Sequence, residues 1–281
     1  MRALAGAGVT ARDVLTDAPG QAAMLLRAGA AGMDAVFVLG GDGTVTEVAG
    51  ALDGTGVPIG VLPGGTGNLV AGVLGIPSNL RKAVAALVRG DRRRLDLGRF
   101  SDGRPFTFAA GIGVDAAMVR DTTRRRKRWF GMAAYVVAAL RGALRPRPFD
   151  LTAEVDGEII RTRVILAMVA NAGSFFRGRF ELGPDVRPDD GWLDLCLLSP
   201  ANTREVLSVG WRLLRGDFSA HPRMRYVKGR RIRLESDPPL IVQADGDLVG
   251  MTPVEISIAP LAATFLVPPA GVSPAPVRAY S

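Results

Sequence analysis

A single cysteine, Cys196, is all the thiol chemistry this chain carries, so no intrachain disulfide can form and a structural zinc site of the cysteine type is excluded. It lies in the apolar run "WLDLCLLS", which predicts a buried, unreactive thiol. A reducing, cytoplasmic setting is the expectation. Histidine is equally scarce: His221, in "SAHPR", is the only one, and its surroundings predict a loop residue without catalytic duty. No run of 18 apolar residues occurs, and the amino terminus has no apolar stretch of signal-peptide length, so neither a membrane-spanning helix nor secretion is expected. There is no internal repeat. Lysine is rare as well: Lys82, Lys127 and Lys228 are the only three among 35 basic residues, so the net charge of +8 rests on arginine. Such a charge attracts polyanions, and its sign does not choose between nucleic acid and an anionic membrane face.

What is present suffices for one large domain or two ordinary ones, since 48% of the 281 residues are hydrophobic. From about residue 10 to 95, short apolar strands ("AVFVL", "VPIGVL") alternate with helical patterns ("APGQAAMLLRAGAAG", "TVTEVAGAL", "NLRKAVAALVRG"). That alternation predicts βαβ units and a parallel sheet. After Asp96 the texture becomes a series of strand-like runs, from "RPFTFAAGIG" and "LTAEVDGEII" to "VEISIA" and "ATFLVP", broken by helical segments at 129 to 144 and 203 to 216. Asp156-Gly157 between alternating apolar residues is a hairpin signal. The expected organisation is an α/β nucleotide-binding domain over 1–95, a mostly antiparallel β-sandwich over 96–268, and a disordered tail over 269–281.

Two glycine-rich loops stand out. "VFVLGGDGTVTEV" runs a strand through Gly40, Gly41, Asp42 and Gly43 into a helix, and "VLPGGTGNLVAG" repeats the arrangement with Gly64, Gly65, Thr66, Gly67 and Asn68. Loops at the carboxyl ends of parallel strands present backbone N–H groups and helix amino termini to anions, and glycine lets a phosphate approach. Neither loop is a Walker A motif, because no Gly-Lys-Ser/Thr follows, and Thr46 stands where a dinucleotide fingerprint needs its third glycine. Asp42 among phosphate-facing amides would repel the ligand unless a divalent cation lay between, which suggests Mg²⁺ at that carboxylate.

"GGDGTVTEV" and "PGGTGNL", followed in order by "FAAGIGVDAAMV", "NAGSFFRGRFELGPDVRPDDGWLDL" and "VQADGD", resemble the catalytic domain of diacylglycerol and sphingosine kinases, in particular the bacterial soluble lipid kinases. The first loop alone is also similar to that of NAD kinases. The resemblance implies ATP phosphates on Gly40, Gly41, Asp42, Gly43, Thr44, Val45 and Thr46 and at Gly65, Thr66 and Asn68, with Glu47 supporting the first loop. Thr16 would add a contact, or serve as the N-cap of the helix that follows it. A base for the acceptor hydroxyl falls on Asp245-Gly246-Asp247, where both carboxylates are candidates; Asp247 is one methylene shorter than the glutamate usual there. "RPDDGWLDL" resembles a second, structural cation site, giving Asp190 with the carbonyls of Arg187 and Trp192, and Asp115 in its water network. Leu69 replaces an aspartate of the second loop, and the opening strand with its Asn-Pro-x-x-Gly loop is expected to be missing.

Five cations, Arg124 to Arg128, precede Trp129 and Phe130, and fit either anionic lipid headgroups or an ordinary solvated charge run. A nucleic-acid partner is not expected, because no basic stretch is interleaved with stacking aromatics. The expectation is an ATP- and Mg²⁺-dependent lipid kinase in the cytoplasm, in peripheral contact with the inner membrane face and acting on a hydroxyl of a membrane lipid such as diacylglycerol. The alternatives are a non-catalytic nucleotide- or lipid-binding protein and a soluble-metabolite kinase of the NAD kinase type. Nothing in the sequence fixes the oligomeric state.

Overall fold

A computed structural model describes residues 2–30, 32–113, 148–175, 180–200, 202–215, 217–219 and 221–269. Asp115, the cations Arg124 to Arg128, the helix read at 129 to 144 and the tail beyond residue 269 lie outside the described residues. The chain divides into two compact units, Met1–Arg94 with Ala263–Ser281, and Leu95–Ala262.

In the first unit α1 (Arg2–Ala5) and α2 (Gln21–Gly29) precede β1 (Val36–Gly40), α3 (Asp42–Ala51), β2 (Ile59–Pro63), α4 (Leu69–Val73) and α5 (Leu80–Val88), and β3 (Asp91–Phe100) begins there. Strands β1 and β2 are parallel, in register from Val36 beside Ile59 to Gly40 beside Pro63. Helical spacing turns Val45, Val48 and Ala49 of α3 inward together. Asn79 opens α5 by accepting the N–H groups of Arg81 and Lys82 on Oδ1, each at 3.1 Å.

The second unit holds β4 (Pro105–Phe106), β5 (Ala109–Gly113), β6 (Phe149–Val155), β7 (Glu158–Val164), β8 (Leu166–Ala170), β9 (Ser174–Phe175), β10 (Phe180–Glu181), β11 (Leu193–Leu198), α6 (Thr203–Leu214), β12 (Met224–Gly229), β13 (Arg231–Asp237), β14 (Ile241–Ala244), β15 (Asp247–Met251) and most of β16 (Val254–Val267). One antiparallel sheet runs β12-β11-β8-β5-β14-β15. Facing it, β7, β6 and β13 continue onto Val254–Ser257 of β16. Phe106, Ile112, Leu151, Val169, Leu195 and Ile232 from both sheets fill one core, so the unit is a sandwich. The hairpin at Asp156-Gly157 is present, joining Val155 to Glu158.

Strand β11 shows why its sequence does not alternate. Leu195 enters the sandwich core, while its neighbour Cys196 packs on the other face with Ile165, Leu198, Met224 and Val209 of α6. Covered on both sides, the strand is apolar nearly throughout. Burial pushes the Cys196 thiol up to about 12. Ellman's reagent is therefore expected to find no thiol in the native protein and the single cysteine after unfolding; rapid native labelling would contradict this packing.

Two strands differ from the sequence reading. The first is β3, "DRRRLDLGRF", which the charged start disguises: its first half is largely exposed and its second half buried. The second is β16, which joins "VEISIA" and "ATFLVP" in one strand. Its end, from Ala263, groups with the first unit and not with the sandwich, because Phe265 lies parallel beside Ile59 of β2.

Candidate active site

Strands β1 and β2 end side by side, at Gly40 and Pro63. Being parallel, they release their loops at the same sheet edge, and the loops touch. The Gly64 N–H donates to the Gly40 carbonyl at 3.0 Å. A Cβ on Gly65 would fall 2.5 Å from the Gly41 Cα, and one on Gly64 would lie 3.1 Å from the Gly40 nitrogen. These glycines therefore answer first to each other. Gly41 is different: its backbone (φ −91°, ψ −179°) suits any residue, and a Cβ there would meet only the Gly65 Cα, at an ordinary 3.5 Å. The chain's own packing does not ask for glycine at that position.

Asp42 is the first residue of α3, and its Oδ1 accepts the Val70 N–H from the first turn of α4 at 3.1 Å. Its carboxylate thus sits at the amino ends of two helices, where unpaired N–H groups and the helix dipoles favour negative charge. That accounts for an acid beside anion-binding amides without calling on a cation. Its Oδ2 would lie 2.8 Å from a Cβ on Gly67, so the second loop is glycine there to pass the carboxylate. Asn68, at φ 49°, closes that loop on itself, accepting the Gly65 N–H (2.9 Å) and donating to the Gly65 carbonyl (2.7 Å). Thr66 is exposed at its tip, and Gly43 is exposed in the first turn of α3, where Thr44 packs against Gly40.

The remaining residues carried over to the first loop fall elsewhere. Because the helix starts at Asp42, Val45 and Thr46 are turned into the core, and the Val45 N–H is spent on the Gly41 carbonyl at 3.2 Å. Both side chains are buried. Glu47 reaches away from the loop, its Oε1 accepting the Ala23 N–H in the first turn of α2 at 2.9 Å. Thr16 is exposed and does not cap α2, whose N-cap is Gly20 at φ 86°. The capping acceptor came from a different helix, which local sequence does not reveal.

In the second unit Asp245 and Gly246, both at positive φ (48° and 87°), join β14 to β15, with Ala244 paired to Asp247. This is a type I′ hairpin turn. It is also a clamp. Asp245 Oδ2 accepts the Thr107 N–H (2.7 Å) and hydroxyl (2.9 Å), and Oδ1 accepts the N–H groups of Phe108 (2.9 Å) and Ala109 (3.1 Å). Four donors match the roughly four lone-pair sites of a carboxylate. Asp245 is thereby committed to the break between β4 and β5. The Asp247 side chain is exposed and makes no hydrogen bond or ion pair among the described residues. The sequence reading left both as candidate bases; one is held by four hydrogen bonds and the other is exposed.

Asn171, behind this clamp, was not singled out from sequence. Buried, it donates from Nδ2 to the carbonyls of Asp96 (3.0 Å) and Thr107 (2.9 Å), while its Oδ1 has no hydrogen-bond partner among the described residues. An amide ending the apolar strand "LAMVAN" was the available signal.

The "RPDDGW" turn is anchored by Asp96, buried on β3, which accepts the N–H groups of Gly191 (2.7 Å) and Leu261 (2.6 Å). Burial raises its carboxyl above the usual range, those amide bonds opposing. Asp190 accepts the Trp192 N–H (3.1 Å) on Oδ1 and the Lys228 ammonium (2.8 Å) on Oδ2. Arg187 leans toward Asp189 at 3.7 Å, and Arg230 lies over the Trp192 ring at 4.6 Å. The expected cation on Asp190 is met in this structure by a lysine 38 residues along the chain. Among the described residues no group of three or more acidic, histidine or cysteine side chains is disposed to hold a metal, and no helix is long and apolar enough to cross a membrane.

Two family models match the chain: a diacylglycerol kinase catalytic domain over residues 1–100 and a YegS C-terminal NAD kinase beta sandwich-like domain over residues 109–267. A diacylglycerol kinase of Mycobacterium tuberculosis is 32% identical over 252 residues, covering 87% of this chain and 80% of that protein. An uncharacterized Synechocystis protein is 30% identical over 237 residues, and the chain spans 54% of its length. Among solved structures, a candidate diacylglycerol kinase of Bacillus anthracis superposes with a TM-score of 0.77 at 25% identity, over 92% of this chain and 84% of that one.

Proposed function

This chain belongs to the diacylglycerol kinase family, and from that membership we propose that it transfers the γ-phosphoryl group of ATP, delivered with Mg²⁺, to a hydroxyl of a membrane lipid such as diacylglycerol. The observation that carries the reading is the contact between the two glycine loops, with Gly41 left as the glycine that internal packing does not require. A phosphate lying against that backbone would require it. The first-turn amides of α3 supply the donors, and Thr66 and Gly65 border the same edge.

Phosphoryl transfer asks little covalent chemistry of the protein and much positioning and charge neutralisation. Mg²⁺ supplies the neutralisation when bound. Asp42, which accepts the Val70 N–H at the amino ends of two helices, is the carboxylate that would hold such an ion beside the loops. On the acceptor side, Asp247 takes or orients the hydroxyl proton, and Asp245 holds the hairpin that presents it. Arg124 to Arg128 are the proposed contact with anionic headgroups.

The test is transfer of γ-labelled phosphate from Mg-ATP to a panel of lipids in mixed micelles, with NAD as a soluble acceptor. Label in one lipid class is expected. Label in NAD alone would move the protein to the soluble-metabolite kinases. ATP binding with no labelled acceptor would sink the enzyme reading and favour a binding protein, which the shorter Asp247 and the Leu69 replacement would then explain.

A further inference from the structure

Lysine 228 stands on β12 directly opposite Asp194 on β11. Its Nζ lies 2.8 Å from Asp190 Oδ2, 3.2 Å from the Asp185 carbonyl and 3.6 Å from Asp194 Oδ2. Three oxygens surround a group with three N–H bonds. The Asp194 side chain is only 4% exposed, and its Oδ2 makes no hydrogen bond among the described residues, so the lysine is the charge it faces. A carboxylate, a backbone carbonyl and a second, buried carboxylate are the donor set that a hard divalent cation takes. Here an ammonium sits in it.

The choice of residue supports that role. Only three of the chain's 35 basic residues are lysine, and this is one of them. A guanidinium is planar and spreads its five donors in a fork, whereas an ammonium is compact and points three donors at a small oxygen cage. Mg²⁺ cannot share the cage. It would have to displace a cation from Asp190 Oδ2 and leave that cation's charge in place nearby. The residues therefore do not fit the structural metal that the turn's sequence suggests.

We propose that Lys228 is the built-in cation of the 185–194 turn, doing through its ammonium what a structural divalent metal would do, and that removing it uncovers a divalent-cation site formed by Asp190, Asp194 and the Asp185 carbonyl. The inference concerns the sandwich unit alone and stands whether or not the chain is a kinase.

The test uses full-length protein without nucleotide, comparing wild type, Asp190→Asn, Lys228→Met and the double variant Lys228→Met with Asp190→Asn. Melting is followed in EDTA and in millimolar Mn²⁺, and bound Mn²⁺ is counted by electron paramagnetic resonance. Wild type should melt at the same temperature in both and hold no Mn²⁺ that depends on Asp190. Lys228→Met should melt lower in EDTA, regain stability in Mn²⁺ and bind one ion, and the double variant should lose both the recovery and the ion. Wild-type Mn²⁺ binding abolished by Asp190→Asn would overturn the proposal. So would a Lys228→Met protein that Mn²⁺ neither binds nor stabilises, including one that fails to fold in either buffer.

Discussion

Asp247→Asn is expected to lower the rate of lipid phosphorylation by roughly 10²- to 10⁴-fold, the span a positioned general base contributes. Its melting temperature should not move, because the wild-type side chain is exposed and makes no hydrogen bond or ion pair among the described residues. Asp245→Asn should behave oppositely in kind. An amide nitrogen in place of one carboxylate oxygen would turn a donor toward backbone N–H groups that already donate, at a cost of about 1–3 kcal/mol for each donor left unpaired. That variant loses stability along with activity. Circular-dichroism melts and label transfer on the two proteins decide the assignment. Full activity in Asp247→Asn, or an Asp245→Asn protein that is dead yet melts like wild type, would return the base to Asp245.

A second pair of substitutions separates packing from ligand binding at the glycine loops. Gly65→Ala drives a methyl into the Gly41 backbone, where neither side can yield without moving a strand end. Overpacking of this kind costs about 1–3 kcal/mol and should spread the loops enough to abolish ATP binding. Gly41→Ala leaves the fold undisturbed, since its backbone angles and its nearest neighbour both accept a methyl. ATP affinity should nevertheless fall by roughly 10- to 100-fold, the equivalent of one hydrogen bond to a charged group. Calorimetric titration with ATP, beside a thermal melt, reads both. Unchanged affinity in Gly41→Ala would remove the phosphates from this loop.

The parts of the site legible in sequence were those written locally. Strand, glycines and helix follow one another in both loops, and Asp245-Gly246 carries its turn type in its residue pair. What the sequence concealed depends on partners brought in by register. Gly65 needs to be glycine because Gly41, 24 positions away, is alongside it once Gly40 pairs with Pro63. Asp245 and Asp247 looked alike until the β4–β5 break supplied donors to only one of them, giving the two side chains different surroundings. The Val70 amide that Asp42 accepts, 28 positions along the chain, was equally invisible. Lys228 was only one of three lysines until β12 aligned it with Asp194. At fold level the alternation of periods carried the α/β-then-sandwich order, while β3 was hidden behind three arginines that remain largely in water.

The return of β16 to the first unit sets an order on synthesis. A ribosome releases Val36–Gly40 and Ile59–Pro63 early, but the third parallel strand of their unit, around Phe265, emerges some two hundred residues later. Until then β2 has an open edge and an apolar face awaiting cover. The nascent amino-terminal half must therefore wait, shielded or exposed, while the entire sandwich is translated, and a stop codon only a few residues before the end of β16 would strand it in that condition. The sheet that carries both glycine loops therefore closes only when Phe265 arrives beside Ile59, so translation through β16 is a precondition for its assembly.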